Sequence, residues 1–190
     1  MVKGEKMKIG IDIDGVLTDL SRFYLDYGAK YVFENNMEKI SNPNGYELNE
    51  ILGLTEEERK QFWKKYDEFY TKKIYTREFA SEVIEKLKND GHEIHLVTAR
   101  NPREDEWTRN WLRDNDIHYD KLTFTNEKLQ YCEENKINIM IEDRVKNILE
   151  ISKAIPVICF DTRYNQECKG DKITRCYGWY DIYSRIKKMN

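Results

Sequence analysis

The sequence lacks the features that mark a membrane, secreted or polymer-binding protein. No apolar run approaches the length of a membrane-spanning helix, and the first ten residues, MVKGEKMKIG, have no apolar segment like that of a signal peptide. The formal net charge is only −3. This balance argues against affinity based on neutralising a phosphate backbone, whereas a small phosphorylated ligand needs only local positive charge. We therefore expect a cytoplasmic protein that binds neither a membrane nor a nucleic acid polymer.

Cysteine and proline are also sparse. The four cysteines are Cys132, Cys159, Cys168 and Cys176, and no two of them have the short spacing of a metal-binding pair. We expect reduced thiols, with Cys159 in the core, and regard a disulfide between Cys168 and Cys176 as the less favoured alternative. With three prolines, no internal repeat and no low-complexity linker, the 190 residues are enough for one α/β domain with a modest insertion.

Apolar runs alternate with helical patterns along most of the chain. The predicted strands are residues 7–13, 92–98, 119–124, 137–141 and 155–160, followed by a polar segment from residue 162, a last strand and a C-terminal helix. Helix starts are marked by the capping box of Thr55 and Glu58 and by Asn101 followed by Pro102. Strands separated by helices predict a Rossmann-like parallel sheet with helices on both faces.

One stretch is too long to be a crossover between neighbouring strands. Residues 19–75 carry aromatic residues at helical spacing, interrupted by a loop at residues 41–45. We interpret residues 19–75 as a small helical cap inserted after the first strand. The core would then consist of residues 1–18 and 76–190.

Reactive side chains follow several of the predicted strands. In chain order they are Asp12, Asp14, Thr98, Lys128, Glu142 and Asp143. Because ligands of open parallel sheets bind beyond the carboxyl ends of the strands, we expect these side chains to meet at one rim. Two carboxylates at the end of a buried strand repel each other and lose hydration, and a hard cation such as Mg²⁺ would compensate both effects.

This combination favours phosphoryl transfer through a carboxylate nucleophile. One acid can attack phosphorus while the other moves a proton to and from the leaving oxygen. Asp12 and Asp14 would share one face if the strand stayed regular through both. Thr98 could hydrogen-bond a phosphate oxygen, and Lys128 could offset developing negative charge.

At this point the sequence resembles a known family. The motif DIDGVLTD at residues 12–19, Thr98, Lys128 and the pair Glu142–Asp143 are similar to the four motifs of the haloacid dehalogenase superfamily, in order and spacing. VTAR at 97–100 and IED at 141–143 are most similar to its 5'(3')-deoxyribonucleotidase-like branch. The resemblance covers residues 7–165, least closely in the cap. It implies a Mg²⁺-dependent phosphomonoester hydrolase that forms an aspartyl-phosphate and acts on a nucleotide.

The resemblance also implies a role for each acid. Asp12 would be the nucleophile and a metal ligand. Asp14 would be the general acid and base and would give its backbone carbonyl to the metal. Asp143 would bind Mg²⁺ directly, with Glu142 beside it in place of the Asp or Gly that is common there.

On the same resemblance, Thr98 and Lys128 would hold the phosphate. Ala99 and Arg100, which follow Thr98 directly, are further candidates for substrate binding. The aromatic residues of the predicted cap are interpreted first as the cap's own core and second as candidates for stacking on a nucleobase; they are Phe23, Tyr24, Trp63 and Tyr66.

Other hypotheses remain open from the residues alone. The substrate could be a sugar phosphate or another small metabolite. A non-catalytic relative could bind a phosphorylated ligand, although a proton-transfer acid serves no purpose in binding alone. A phosphoacceptor like a response regulator is disfavoured by Asp14 and the large cap. The oligomeric state is open, with a homodimer as one alternative.

Overall fold

Six parallel strands form the central sheet in a computed structural model that describes residues 6–38, 42 and 44–189. The strands are β1 (Lys8–Ile11), β2 (Glu93–Thr98), β3 (Lys121–Phe124), β4 (Ile139–Glu142), β5 (Val157–Phe160) and β6 (Ile173–Cys176). Their order across the sheet is β3-β2-β1-β4-β5-β6. The chain therefore runs outward from β1 in one direction and then, from β4, in the other, which makes the β1/β4 boundary the switch point of the sheet.

Eight α-helices lie in the described part of the chain. They are α1 (Leu20–Glu34), α2 (Leu48–Leu52), α3 (Glu56–Lys73), α4 (Ala80–Asn89), α5 (Asp105–Asp114), α6 (Lys128–Asn135), α7 (Val145–Ile151) and α8 (Trp179–Met189). Short 3-10 helices cover Pro102–Glu104 and Arg163–Asn165. The capping box predicted at Thr55 and Glu58 is confirmed at the start of α3, and Asn101 caps the 3-10 turn that precedes α5.

Alternate residues of the strands pack against helices on opposite faces. In β4, Ile139 and Ile141 belong to the apolar cluster that contains α4, α5 and α8, whereas Met140 belongs to a second cluster with α6 and α7. The same alternation holds in β5 for Ile158 against Cys159. Burial on both faces explains why these strands read as continuous apolar runs. The predicted fold class is confirmed, with strands a few residues shorter than the apolar runs.

Helices α1 to α3 lie between β1 and α4, as the length of that stretch predicts. The chain enters and leaves this region side by side, because Thr18 and Thr76 form an antiparallel bridge. Backbone bonds from Asp19 N to Tyr75 O and from Arg77 N to Leu17 O, 3.0 and 2.8 Å long, flank that bridge. The boundaries of the predicted cap stay a prediction. Residues 1–5 and 190 of the predicted core lie outside the described residues, as do residues 39–41 and 43 of the predicted cap, which include Ser41 and Pro43 of its loop.

The aromatic residues of α1 and α3 form one packed cluster. Phe23 is fully buried, and its ring stacks with Tyr27 at a centroid distance of 5.0 Å and with Trp63 at 6.0 Å. Tyr24 and Tyr66 are buried as well, and Trp63 is half-buried. The interpretation of these aromatic residues as core therefore holds for Phe23, Tyr24 and Tyr66.

The remaining expectations from composition concern thiols and membranes. All four cysteines are free and buried, so the favoured prediction of reduced thiols agrees with the structure. Within residues 6–38, 42 and 44–189, no helix combines the length and the apolar character needed to cross a membrane.

Candidate active site

Lys128 joins the carboxyl ends of β1 and β4. It is the first residue of α6, and its Nζ atom lies 2.8 Å from Asp12 Oδ1 and 2.7 Å from Glu142 Oε2. The side chain of Lys128 is only 4% exposed, and Glu142 is fully buried. The ammonium group is thus held in a low-dielectric position by two carboxylates.

Asp12, Glu142 and Asp143 bring three carboxylates together. One oxygen from each lies within 4.8 Å of the other two. Burial, followed by the charge of Glu142, raises the pKa of Asp143 to about 8. The same two causes raise the pKa of Asp12, against the opposing effect of Lys128. A single ammonium group therefore does not neutralise the cluster.

Asp143 provides the clearest sign that a cation fits here. Its Oδ1 atom is buried and is without a hydrogen-bond partner in the described part of the chain. An unsatisfied carboxylate oxygen is costly in a buried position, whereas an oxygen-binding cation would satisfy it. The oxygen-only donor set of Asp12 and Asp143 fits Mg²⁺, which prefers such ligands.

Glu142 differs from the other two acids because its oxygens are well occupied. Oε1 accepts hydrogen bonds from the backbone N–H of Asp143 and Arg144, at 3.1 and 3.0 Å. Oε2 accepts from Lys128 and from the Asn147 side chain. Burial alone would raise the pKa of Glu142, but Lys128 and these hydrogen bonds hold it below its ordinary value. Glu142 therefore fixes Lys128 and the turn after β4.

Asp14 lies in different surroundings from Asp12. Because β1 ends at Ile11, the regular alternation that would place the two acids on one face does not extend to Asp14. Its carboxylate accepts hydrogen bonds from Arg100 Nη2 at 2.7 Å and from the Tyr70 hydroxyl at 2.6 Å. Burial raises the pKa of Asp14, but Arg100 and Tyr70 outweigh it and hold that pKa below its ordinary value.

The residues after β2 also reach this rim. Thr98 is fully buried, and its Oγ1 atom accepts a hydrogen bond from the backbone N–H of Arg100 at 3.1 Å. Ala99 is exposed between them. The structure thus brings Thr98, Arg100, Lys128 and the acids to one edge of the sheet, while their roles toward a substrate stay predictions.

Gly15 allows the loop after β1 to pass close to Asp143. Its φ angle is +95°, and a Cβ atom there would overlap the Asp143 carboxylate. Only glycine combines this left-handed backbone with so close an approach. The carbonyl of Gly15 accepts a hydrogen bond from Arg77 Nε at 3.0 Å, which ties the loop to the chain segment that follows α3.

Sequence reasoning missed three residues of the site. Tyr70 comes from α3 and contacts Asp14, and the Tyr164 hydroxyl donates to Asp143 Oδ2. Asn165 is buried and donates to the Asp143 carbonyl at 2.8 Å. The segment after residue 162 is therefore more than the surface loop that its polarity suggests. No spacing signal could reveal these contacts, because their partners are 21 to 56 residues away in sequence.

Comparisons with known proteins cover nearly the whole chain. A family model described as 5' nucleotidase, deoxy (pyrimidine), cytosolic type C matches residues 6–189. A Clostridium acetobutylicum protein named as a nucleotidase is 31% identical over 188 residues, which covers 97% of this chain and 96% of that protein.

Two solved structures illustrate the fold. A haloacid dehalogenase-like protein of Agrobacterium tumefaciens matches with a TM-score of 0.72 at 12% identity, covering 97% of this chain and 99% of its own. A haloacid dehalogenase-superfamily hydrolase of Geobacter sulfurreducens matches with a TM-score of 0.63 at 14% identity, covering 95% and 96%. At such low identities the likeness shows the fold alone, which is haloacid dehalogenase-like.

Proposed function

The chain belongs to the 5' nucleotidase, deoxy (pyrimidine), cytosolic type C family and is a phosphatase, and we propose that its substrate is a nucleoside monophosphate. The name of the Clostridium acetobutylicum relative supports a nucleotide substrate. A sugar phosphate is the alternative to test, because fold alone does not determine the substrate.

The observation that carries the proposed mechanism is the separation of the two acids of the DIDG motif. Asp12 pairs with Lys128 beside the carboxylate cluster, whereas Asp14 pairs with Arg100 and Tyr70. Two carboxylates with different partners can take different chemical roles. This arrangement supports Asp12 as the nucleophile and Asp14 as the proton carrier.

In the first step, an Asp12 oxygen forms a bond to phosphorus and the bond from phosphorus to the leaving alcohol breaks. Asp14 gives a proton to the leaving oxygen, which requires Asp14 to be protonated in the substrate complex although Arg100 and Tyr70 lower its pKa. In the second step, Asp14 takes a proton from a water molecule that attacks phosphorus. The bond between Asp12 and the phosphoryl group then breaks, which releases inorganic phosphate and restores both acids.

Other residues of the rim are proposed to hold the phosphate and the cation. Lys128, Thr98 and the exposed Ala99 are the proposed phosphate contacts, whereas the Arg100 guanidinium group pairs with Asp14 and its direct contact with phosphate is the alternative tested below. Asp12 and Asp143 would hold Mg²⁺, together with the backbone carbonyl of Asp14. When bound, Mg²⁺ would offset the negative charge that otherwise keeps an anionic nucleophile away from an anionic phosphate.

The domain division is part of the same proposal. Residues 1–18 and 76–190 would form the catalytic core, and residues 19–75 the cap that limits access to it. A cytoplasmic enzyme with a small phosphorylated substrate fits this proposal.

A phosphate-release assay with and without Mg²⁺ tests the proposed mechanism and substrate. It uses a chromogenic phosphate ester and a panel of nucleoside monophosphates and sugar phosphates. Asp12→Asn should abolish turnover, and Asp14→Asn should reduce it by about 10²–10⁴-fold. Asp105→Asn is the matched control, since Asp105 pairs with Arg109 on α5 and is 45% exposed. Full activity of Asp12→Asn would refute the mechanism. A preference for sugar phosphates would refute the nucleotide substrate. No turnover by wild-type protein would favour a binding function.

A further inference from the structure

We propose that Arg100 is a positioning residue that, together with Tyr70, orients the Asp14 carboxylate so that Oδ2 is the oxygen that exchanges the proton. This inference rests on the proposed function, in which Asp14 is the general acid and base. It assigns to Arg100 an action through Asp14, which differs from direct binding of the substrate phosphate.

The Arg100 and Asp14 side chains meet in a two-point contact. Arg100 Nη2 lies 2.7 Å from Asp14 Oδ1, and Arg100 Nε lies 2.9 Å from Oδ2 and 3.2 Å from Oδ1. A planar guanidinium group that contacts both oxygens fixes the plane of a carboxylate as well as its position. A lysine, which is a point charge, would fix only its position.

Arg100 is itself held rigidly. Its side chain is 3% exposed, and its Nη1 atom donates to Thr108 Oγ1 of α5 at 3.3 Å. The guanidinium carbon lies 5.6 Å from the ring centroids of both Tyr70 and Trp111. Because α3 and α5 both contact this side chain, it can transmit their fixed positions to Asp14.

The two oxygens of Asp14 are unequally occupied. Oδ1 accepts hydrogen bonds from Arg100 Nη2 and from the Tyr70 hydroxyl, the latter at 2.6 Å. Oδ2 accepts only from Arg100 Nε among the described residues. A carboxylate oxygen can accept two hydrogen bonds, so Oδ2 keeps a free lone pair while Oδ1 is anchored. The Asp14 side chain is 24% exposed, so the carboxylate group keeps contact with solvent.

Tyr70 connects this arrangement to the helical region that precedes α4. Its hydroxyl lies 3.5 Å from Thr18 Oγ1, which in turn accepts a hydrogen bond from Gly15 N at 3.1 Å. Helix α3 therefore contacts both the proton carrier and the loop that contains it. On this basis Tyr70 is the second positioning residue, acting through the same carboxylate.

Positioning of Asp14 by Arg100 and binding of phosphate by Arg100 would change the kinetics in different ways. A residue that positions Asp14 should affect kcat and have no effect once Asp14 is gone. A residue that binds phosphate should raise KM whether or not Asp14 is present. Arg100→Gln, Asp14→Asn and the double variant therefore form a mutant cycle that separates the two roles.

We expect Arg100→Gln to lower kcat for a nucleoside monophosphate by about 10²-fold with little change in KM. In the Asp14→Asn background the same substitution should change kcat by less than about threefold, because Arg100 acts through the carboxylate that this background removes. Arg100→Lys should restore only part of kcat, and Tyr70→Phe should lower kcat by a smaller factor than Arg100→Gln.

A second measurement uses the leaving group. A p-nitrophenolate leaves without needing a proton, so Arg100→Gln and Tyr70→Phe should impair turnover of p-nitrophenyl phosphate less than turnover of the nucleotide. Tyr31→Phe is the matched control: Tyr31 is a buried tyrosine of α1 whose hydroxyl donates to Glu58 O at 3.3 Å, away from Asp14. It should leave both rates unchanged, and far-UV circular dichroism checks that each variant is folded.

The outcomes separate this inference from the proposed function. Full activity of Asp14→Asn would overturn the role of Asp14 and the inference with it. If Asp14→Asn is impaired, two results would overturn the inference alone. One is a double variant whose loss of kcat equals the product of the two single losses. The other is a raised KM for Arg100→Gln in both backgrounds. Equal losses with both substrates for Arg100→Gln and Tyr70→Phe would do the same.

Discussion

Lys128 Nζ lies 2.8 Å from Asp12 Oδ1, and both side chains are more than 90% buried. The same ammonium group lies 2.7 Å from Glu142 Oε2, so one cation serves two buried carboxylates. Removing a buried charge costs far more than removing an exposed one, because its partners are left without compensation.

We predict that Lys128→Met lowers the free energy of unfolding by about 3–5 kcal/mol, because it strands Asp12 and Glu142 in a buried position. Urea denaturation followed by circular dichroism measures this. Lys121→Met is the control: Lys121 is 50% exposed and lies 3.9 Å from Glu93, so it should cost less than about 1 kcal/mol. A cost below 1 kcal/mol for Lys128→Met would contradict the prediction.

Binding of Mg²⁺ should release a proton at neutral pH. In the cation-free protein, burial raises the pKa of Asp143 to about 8, so this carboxyl is mostly protonated at pH 7. A metal ligand must be ionised, so affinity for Mg²⁺ should rise with pH through about 8, and Asp12, whose pKa burial also raises, contributes to the same rise. Isothermal titration calorimetry at pH 7 in two buffers of different ionisation enthalpy should give buffer-dependent heats. Identical heats would contradict this, and Asp143→Asn should bind Mg²⁺ more weakly.

Gly15→Ala should both destabilise the protein and impair turnover. The φ angle of +95° disfavours any side chain, and the added Cβ would overlap the Asp143 carboxylate. We expect a loss of about 1–3 kcal/mol in unfolding free energy, the usual cost of such strain. Gly178→Ala is the control, because a Cβ there would meet nothing within 4 Å. Equal melting temperatures for the two variants would refute the prediction.

Asp120 should make stability depend on pH. Burial raises its pKa, but a hydrogen bond from Ile94 N at 2.7 Å and an ion pair with Lys88 outweigh this and lower it. A carboxyl group whose pKa is lower in the folded than in the unfolded protein stabilises the fold at any pH above its unfolded-state pKa of about 3.9. That stabilisation is lost as the pH falls through the folded-state pKa. Asp120→Asn should therefore lower the melting temperature at pH 7 and progressively less toward pH 3. Asp114→Asn, at an exposed position, is the control and should change the melting temperature little at either pH. A decrease in melting temperature for Asp120→Asn that is the same at pH 7 and pH 3 would count against the mechanism.

The sequence predicts the parts of the site that follow strand ends. Asp12, Lys128 and Asp143 meet because parallel strands place their carboxyl ends along one edge, and that rule needs only the position of each strand. The shared face of Asp12 and Asp14 depended on a regular strand, and β1 ends at Ile11. The partners of Asp14 follow from packing between distant segments: Tyr70 and Arg100 are 56 and 86 residues away. Local patterns carry no information on such contacts.

The bridge between Thr18 and Thr76 has a consequence for how this chain can change in length. Paired residues of adjacent strands lie about 5 Å apart, so the two ends of the intervening region meet within the span of a tight turn. Among the described residues, no strand of the six-stranded sheet comes from that region. An insertion or deletion between these two threonines should therefore leave the register of the sheet, and with it the spacing of Asp12, Lys128 and Asp143, unchanged.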